Sequence, residues 1–155
     1  MSPFRRHNTV LLVEDNPADV DFVQVACEGG DPEVHLQVAS DARQALAYLR
    51  REGDFHEAEP PALVLMDLKL AGKSGKTVLS EIRSSEELQT LPVVIFSSSD
   101  DSYDIDSSYR MGANAFVRKP IGLDEFVESV RSIFRFWLTS VELPLHHRRA
   151  VPKNG

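Results

Sequence analysis

The stretch VLLVEDNPADV, Val10 to Val20, runs four apolar residues straight into two adjacent carboxylates, Glu14 and Asp15, and then into Asn16-Pro17. Four apolar residues with β-branched Val at both ends are the pattern of a strand covered on both faces, as in the interior of a parallel sheet. Asn16, Pro17 and Asp19 read in turn as an N-cap, a first-turn proline and an acidic first turn, so the carboxylate pair sits where a strand hands over to a helix. Like charges on consecutive residues repel and resist burial. Either they face water in a solvated turn, or the site that keeps them ionised supplies a cation.

The same alternation continues along the chain. Strand-like runs TVLLVE (9–14), VHLQVA (34–39), LVLMD (63–67), PVVIFS (92–97) and AFVRK (114–118) alternate with segments of helical period. The helices are expected from Pro17 to about Glu28, Asp41 to Arg51, Lys76 to Arg83, over the Ser- and Asp-rich 101–111, and from Leu123 to Leu138. Parallel neighbours need crossover connections, so this order predicts an α/β fold, an open parallel sheet with helices on both faces. The segment 101–111 has only Tyr103, Ile105, Tyr109 and Met111 to bury, and a marginal helix is expected there. GDFHEAEPPA (53–62) reads as an exposed loop.

With 155 residues, 42% hydrophobic and 26% charged, the chain has the composition of one globular domain with a real core. We expect that domain over 8–139, followed by a C-terminal arm and flexible basic tail, 140–155, in which His146 and His147 belong to a frayed terminus. The formal net charge of −7 argues against a nucleic-acid footprint, which needs clustered Lys and Arg, and suits a protein that binds cations or basic protein surfaces. A single cysteine, Cys27, excludes an intramolecular disulfide and disfavours structural zinc. The longest apolar runs are strand-sized and MSPFRRHNTV lacks a signal-peptide core, so the expectation is a cytoplasmic protein with no membrane partner.

In open α/β sheets, ligands gather beyond the carboxyl ends of the strands. Here those ends carry Glu14-Asp15, Asp67, Ser97-Ser98 and Lys119-Pro120. Singly, each has an ordinary explanation: a capped turn for Asp67, a satisfied backbone group for Ser97, solvent for Lys119. Together they gather three carboxylates, a hydroxyl and an ammonium on one edge, which is the make-up of a site.

On these residues the chain, over roughly 8–139, resembles the receiver domain of two-component response regulators. Glu14-Asp15, Asp67, Ser97 thirty residues later and Lys119 fifty-two residues after Asp67 keep that family's order and approximate spacing, and Phe116 matches its aromatic switch position. The resemblance implies a doubly wound, flavodoxin-like (βα)5 fold with strand order 2-1-3-4-5. It implies Asp67 as phosphoacceptor, and magnesium, or manganese in its place, held by Asp15 and Asp67, by Glu14 through water and by the main-chain carbonyl of Lys69. It further implies Ser97, the small Ser98 and Lys119 around the phosphoryl group, and a cis bond before Pro120 that aims Lys119 inward. The chemistry agrees, because a carboxylate attacking an anionic phosphoryl group needs the oxygens on phosphorus neutralised. In the loop DLKLAGKSG, Ala71 stands where the family often has Pro and Gly75 where it usually has Gly, while Lys69 puts a cation two residues past the acceptor.

The ending FWLTSVELP (136–144) is similar to single-domain regulators paired with bacterial phytochrome histidine kinases. That similarity implies a phytochrome-type sensor kinase as phosphodonor and a homodimer, with Phe136, Trp137 and Leu138 in the seam and the C-terminal arm reaching across. Phe126, Val127, Val130, Ile133, Phe134, Trp137 and Leu138 follow the spacing of one sheet-facing stripe, and Phe136 must point away from part of it. No output module follows Leu138, so signalling by protein contact is expected, with no catalysis beyond the chain's own phosphorylation and dephosphorylation. Two other readings stand beside this one. A magnesium-dependent phosphatase would share the aspartyl nucleophile, but its haloacid-dehalogenase-like form needs a second Asp where Lys69 stands. A pseudo-receiver would only bind partners, although every group needed for phosphotransfer is present.

Overall fold

The computed structural model describes residues 8–144, and the tail with His146 and His147 lies outside them. The apolar runs become β1 (Thr9–Val13), β2 (His35–Ala39), β3 (Leu63–Met66), β4 (Val93–Ser97) and β5 (Ala115–Arg118). All pair in parallel, in the order β2-β1-β3-β4-β5 that the resemblance implies. The inner strands β1, β3 and β4 are buried along their whole length, while the edge strands are only partly covered.

Between them run α1 (Pro17–Cys27), α2 (Ala42–Arg50), α3 (Gly75–Ser84), α4 (Ser102–Arg110) and α5 (Leu123–Arg135). The first four start on side-chain caps, which satisfy amides that the first helical turn leaves without partners. Asn16 accepts from Ala18 N at 2.9 Å, Asp41 from Gln44 N at 2.7 Å, Ser74 from Lys76 N at 3.2 Å and Asp101 from Tyr103 N at 2.8 Å.

Successive strand residues point to opposite faces, and the sheet divides its apolar side chains accordingly. Leu11, Val13, Val64, Met66, Val93 and Ile95 pack under α2 and α3. Val10, Leu12, Leu63, Leu65, Val94 and Phe96 pack under α1 and α5, where Phe126 meets Phe22 and Phe96 edge-on at 5.4 and 5.0 Å. The α4 helix departs from expectation. Of its residues only Ser108 is buried, and Tyr103, expected to pack inward, is 72% exposed. Polar bonds help to hold this helix instead, among them Ser108 Oγ donating to the Asp104 carbonyl at 2.6 Å.

The end of α5 corrects a second expectation. A π-helical turn, Phe136–Ser140, follows it, and Leu138 is 1% exposed within the core that α1 and α5 cover. Leu138 lies four residues after buried Phe134, so both fall on the sheet-facing side, and Leu138 has no surface to offer a dimer seam. Phe136 points the other way and is 55% exposed, with Trp137 edge-on to it at 5.5 Å. Val141 and Leu143, expected in an arm reaching across to a second protomer, lie against the core of their own chain.

Leu138→Ala should therefore lower the free energy of unfolding by about 2–5 kcal/mol, the usual cost of truncating a buried Leu. Urea titration checks this, and the loss should be the same at low and high protein concentration, because the residue serves the fold of one protomer.

Candidate functional site at the carboxyl edge of the sheet

Strand register decides which side chains meet at this edge. Val13 lies beside Met66, and Met66 beside Ile95. The ladder then runs one step past the strands: Asp67 N donates to Val13 O at 3.0 Å, Glu14 N to Ala39 O at 3.0 Å and Lys119 N to Ser97 O at 2.8 Å. Glu14, Asp67 and Lys119 are thus held by backbone bonds at the mouth of the sheet, next to Ser97. Behind Asp67 the chain turns sharply into α3. Gly75 N donates to Leu68 O at 2.8 Å, and a Cβ on Gly75 would collide with the Asp67 carbonyl oxygen, so only glycine lets α3 begin so close to the acidic residue.

The Lys119 ammonium sits among carboxylates. Its Nζ donates to Glu14 Oε2 at 2.7 Å, Asp19 Oδ2 at 2.8 Å and Asp67 Oδ2 at 2.8 Å. Burial by itself would lower the Lys119 pKa, but the bonds to Asp19, Asp67 and Glu14 together outweigh it and hold the ammonium well above the ordinary lysine range. Glu14 is pushed up by burial, with the Asp67 charge adding to the shift and the Lys119 ammonium opposing it.

The arrangement contradicts the expected cis bond before Pro120. Among the described residues the cis peptide bond is Asp31–Pro32. Lys119 needs no such bond to reach inward: its amide is fixed to β4 and its side chain is drawn by three carboxylates. Of the other residues singled out in the sequence, Ser97 is buried, with its Oγ accepting from Ser99 N at 3.3 Å. Asp15, Lys69 and Ser98 are exposed beside the cluster, and Lys69 N donates to Asp67 Oδ1 at 3.3 Å. Phe116 lies half-buried against the core under α2 and α3, and its amide donates to Tyr109 Oη at 3.1 Å. Among the described residues, no three acidic, His or Cys side chains stand as a ready-made metal cluster, and the Lys119 ammonium bonds to both Glu14 and Asp67.

Two features escape the sequence reading. Asp19, taken there only as a first-turn acid, is the third partner of Lys119. The signal was present: a helix that starts two residues after the strand-end acids returns its first turn to the same edge. The second feature is a polar tie between α3 and α4. Asp104 accepts from Lys76 Nζ at 3.0 Å and from Ser99 Oγ at 2.7 Å, and Lys76 Nζ lies 4.9 Å from the centre of the Tyr103 ring. The Ser99 and Lys76 bonds keep the Asp104 carboxyl below its ordinary range.

These features can be set beside known proteins. Residues 10–131 match the family described as the response regulator receiver domain. The response regulator Rcp1 of a Synechocystis strain is 34% identical over 135 residues, which cover 87% of this chain and 92% of Rcp1. The crystal structure of the phosphorylated cyanobacterial phytochrome response regulator RcpA superposes with a TM-score of 0.85 at 38% identity, covering 89% of this chain and 99% of RcpA. The Mn(2+)-bound form of Rcp1 superposes with a TM-score of 0.83 at 34% identity, covering 88% of this chain and 99% of the other. Sheet order, strand-end acids, buried hydroxyl and lysine, and the family match over most of its length agree: the chain belongs to the response regulator receiver family.

Proposed function

We propose that this chain is a cytoplasmic response regulator that takes a phosphoryl group from a phytochrome-type sensor histidine kinase onto Asp67 and passes the signal on by protein contact. The observation that carries the reading is the Asp67 carboxylate at the end of β3, 2.8 Å from a buried ammonium. The similarity to RcpA, a phytochrome response regulator crystallised in phosphorylated form, supports the choice of kinase. Among the described residues no helix is long and apolar enough to cross a membrane.

In this reaction an Asp67 oxygen bonds to phosphorus while the P–N bond to the kinase histidine breaks and its electron pair stays on the imidazole nitrogen. The incoming group adds negative charge to an edge that already carries Glu14, Asp15, Asp19 and Asp67 against the Lys119 ammonium. Lys119 answers one phosphoryl oxygen and Ser97 and Ser98 offer hydroxyls, while the remaining charge calls for a divalent cation. The donor set fits one. Hard carboxylate oxygens suit Mg2+ or Mn2+, and Glu14 and Asp67 already share a cationic group. Asp15, Asp67, Glu14 through water and the Lys69 carbonyl would hold the metal, whose chemistry when bound is to neutralise phosphoryl oxygens; the Mn(2+)-bound form of Rcp1 supports that choice. Phe116 is the side chain we assign to report the change at Ser97 and Lys119 to the α4 side.

We also infer a homodimer. With Leu138 committed to the core, its seam rests on exposed Phe136 and on the outer edge of Trp137, which is partly buried against the core and meets Phe136 edge-on, aromatics of the kind favoured at interface centres.

Two measurements check these readings. Asp67→Asn should abolish phosphoryl uptake from a phytochrome kinase or a small phosphodonor while the variant stays folded, because the change removes the nucleophile and keeps the shape. Stoichiometric labelling of the variant would overturn the assignment. Light scattering should report a dimer for the wild type at tens of micromolar and a shift toward monomer for Phe136→Ala/Trp137→Ala. A wild type that stays monomeric with and without a phosphate mimic refutes the seam.

A further inference from the structure

Asp19 has no part in accepting a phosphoryl group, yet it binds the ammonium that does take part. An ammonium has three N–H donors, and in Lys119 all three are used, on Glu14 at 2.7 Å, Asp19 at 2.8 Å and Asp67 at 2.8 Å. The four side chains are buried to different depths: Glu14 is 3% exposed, Lys119 7%, Asp67 10% and Asp19 21%. Asp19 is therefore the outermost partner, carried on the first turn of α1 rather than on a strand end.

A cation held by Asp67 and, through water, by Glu14 competes with the Lys119 ammonium for both carboxylates. Stripped of every partner, a buried ammonium would be too costly to leave in place. A retained partner outside the cation's own ligand set removes that obstacle. Resting on the metal-assisted phosphotransfer reading above, we propose that Asp19 is a positioning residue: it is the seat to which Lys119 withdraws when a divalent cation takes Glu14 and Asp67, and it thereby sets the affinity of the site for that cation. Without Asp19 the ammonium has no third partner to keep, so it holds Glu14 and Asp67 more firmly and competes with the metal.

The test is calorimetric titration of the full chain with Mg2+ alone, with no phosphodonor present. Asp19→Asn, which leaves a neutral acceptor but removes the charge that holds the ammonium, should weaken Mg2+ binding about tenfold, the scale of weakening one charge-assisted hydrogen bond. Asp19→Glu, which keeps the charge and the acceptor, should remain within about threefold of wild type. In a Lys119→Met background there is no ammonium to seat, and Asp19→Asn should change the affinity by less than about twofold. Thermal unfolding in EDTA establishes that each variant is folded before it is titrated.

Equal Mg2+ affinity for wild type and Asp19→Asn overturns the proposal. So does an equal loss in the wild-type and Lys119→Met backgrounds, since Asp19 would then act only as a nearby negative charge. A wild type with no saturable Mg2+ binding instead overturns the metal-assisted reading itself, and the role of Asp19 with it.

Discussion

The Lys119 ammonium is the group on which the carboxyl edge of this fold depends. Glu14 and Asp67 are buried at the ends of neighbouring strands, and Asp19 joins them from the first turn of α1. Carboxylates that close repel one another, and each loses hydration on burial. One cation bonded to all three offsets both penalties, and its own burial is offset by the same bonds. The arrangement is mutual: removing one member of a buried ion pair strands the other, at a typical cost of about 3–5 kcal/mol. The edge is therefore organised to hold positive charge of some kind, and in this structure the charge is supplied by the chain.

The backbone carries these residues to a common edge. Parallel pairing sets β1 beside β3 and β3 beside β4, so residues one step past the strands converge without any contact between their side chains being required. The short connection from β1 to α1 then brings Asp19 back to the edge, and the close approach at Gly75 fixes the path of the chain after Asp67. A topology that buries the strands on both faces leaves their carboxyl ends as the place where polar side chains can gather under the cover of helices yet still be reached from solvent.

Those parts of the protein that follow from local pattern are legible in its sequence. Strand positions come from periodicity, the convergence of Glu14, Asp67, Ser97 and Lys119 from what stands at strand ends, and the sheet order from the family resemblance those residues carry. What is not legible depends on a third dimension. Asp19 has an adequate local explanation as a helix-start acid; its closeness to the strand-end acids returns it to the edge, but the ammonium it meets there stands one hundred residues away. Leu138 carries the same helical spacing whether it faces the sheet or a second protomer, and only packing decides. Tyr103 looks like an apolar anchor for α4, but its position over Lys76 leaves it at the surface. The bond before Pro120 is expected by resemblance alone, and the direct pull of three carboxylates on Lys119 makes the expected isomer unnecessary.

The same distinction between apolar and polar holding sets α4 apart from the other helices. The helices α2, α3 and α5 each bury several apolar side chains, so moving them would expose core surface. With one buried residue, Ser108, α4 has little apolar area to lose, and its ties are polar ones through Asp104. Ser99, one of those ties, also donates its amide to the Ser97 hydroxyl, so the three-serine stretch 97–99 faces the acidic edge at one end and α4 at the other. At the opposite side of the helix, Tyr109 takes the amide of Phe116 on β5. Ser97 Oγ accepts from Ser99 N, and Ser99 Oγ donates in turn to Asp104, so the buried hydroxyl is linked through one residue to the Asp104–Lys76 tie. Polar ties of this kind exchange with water at little net cost. A change of charge at the edge is thus set beside the one helix whose position the core does not dictate.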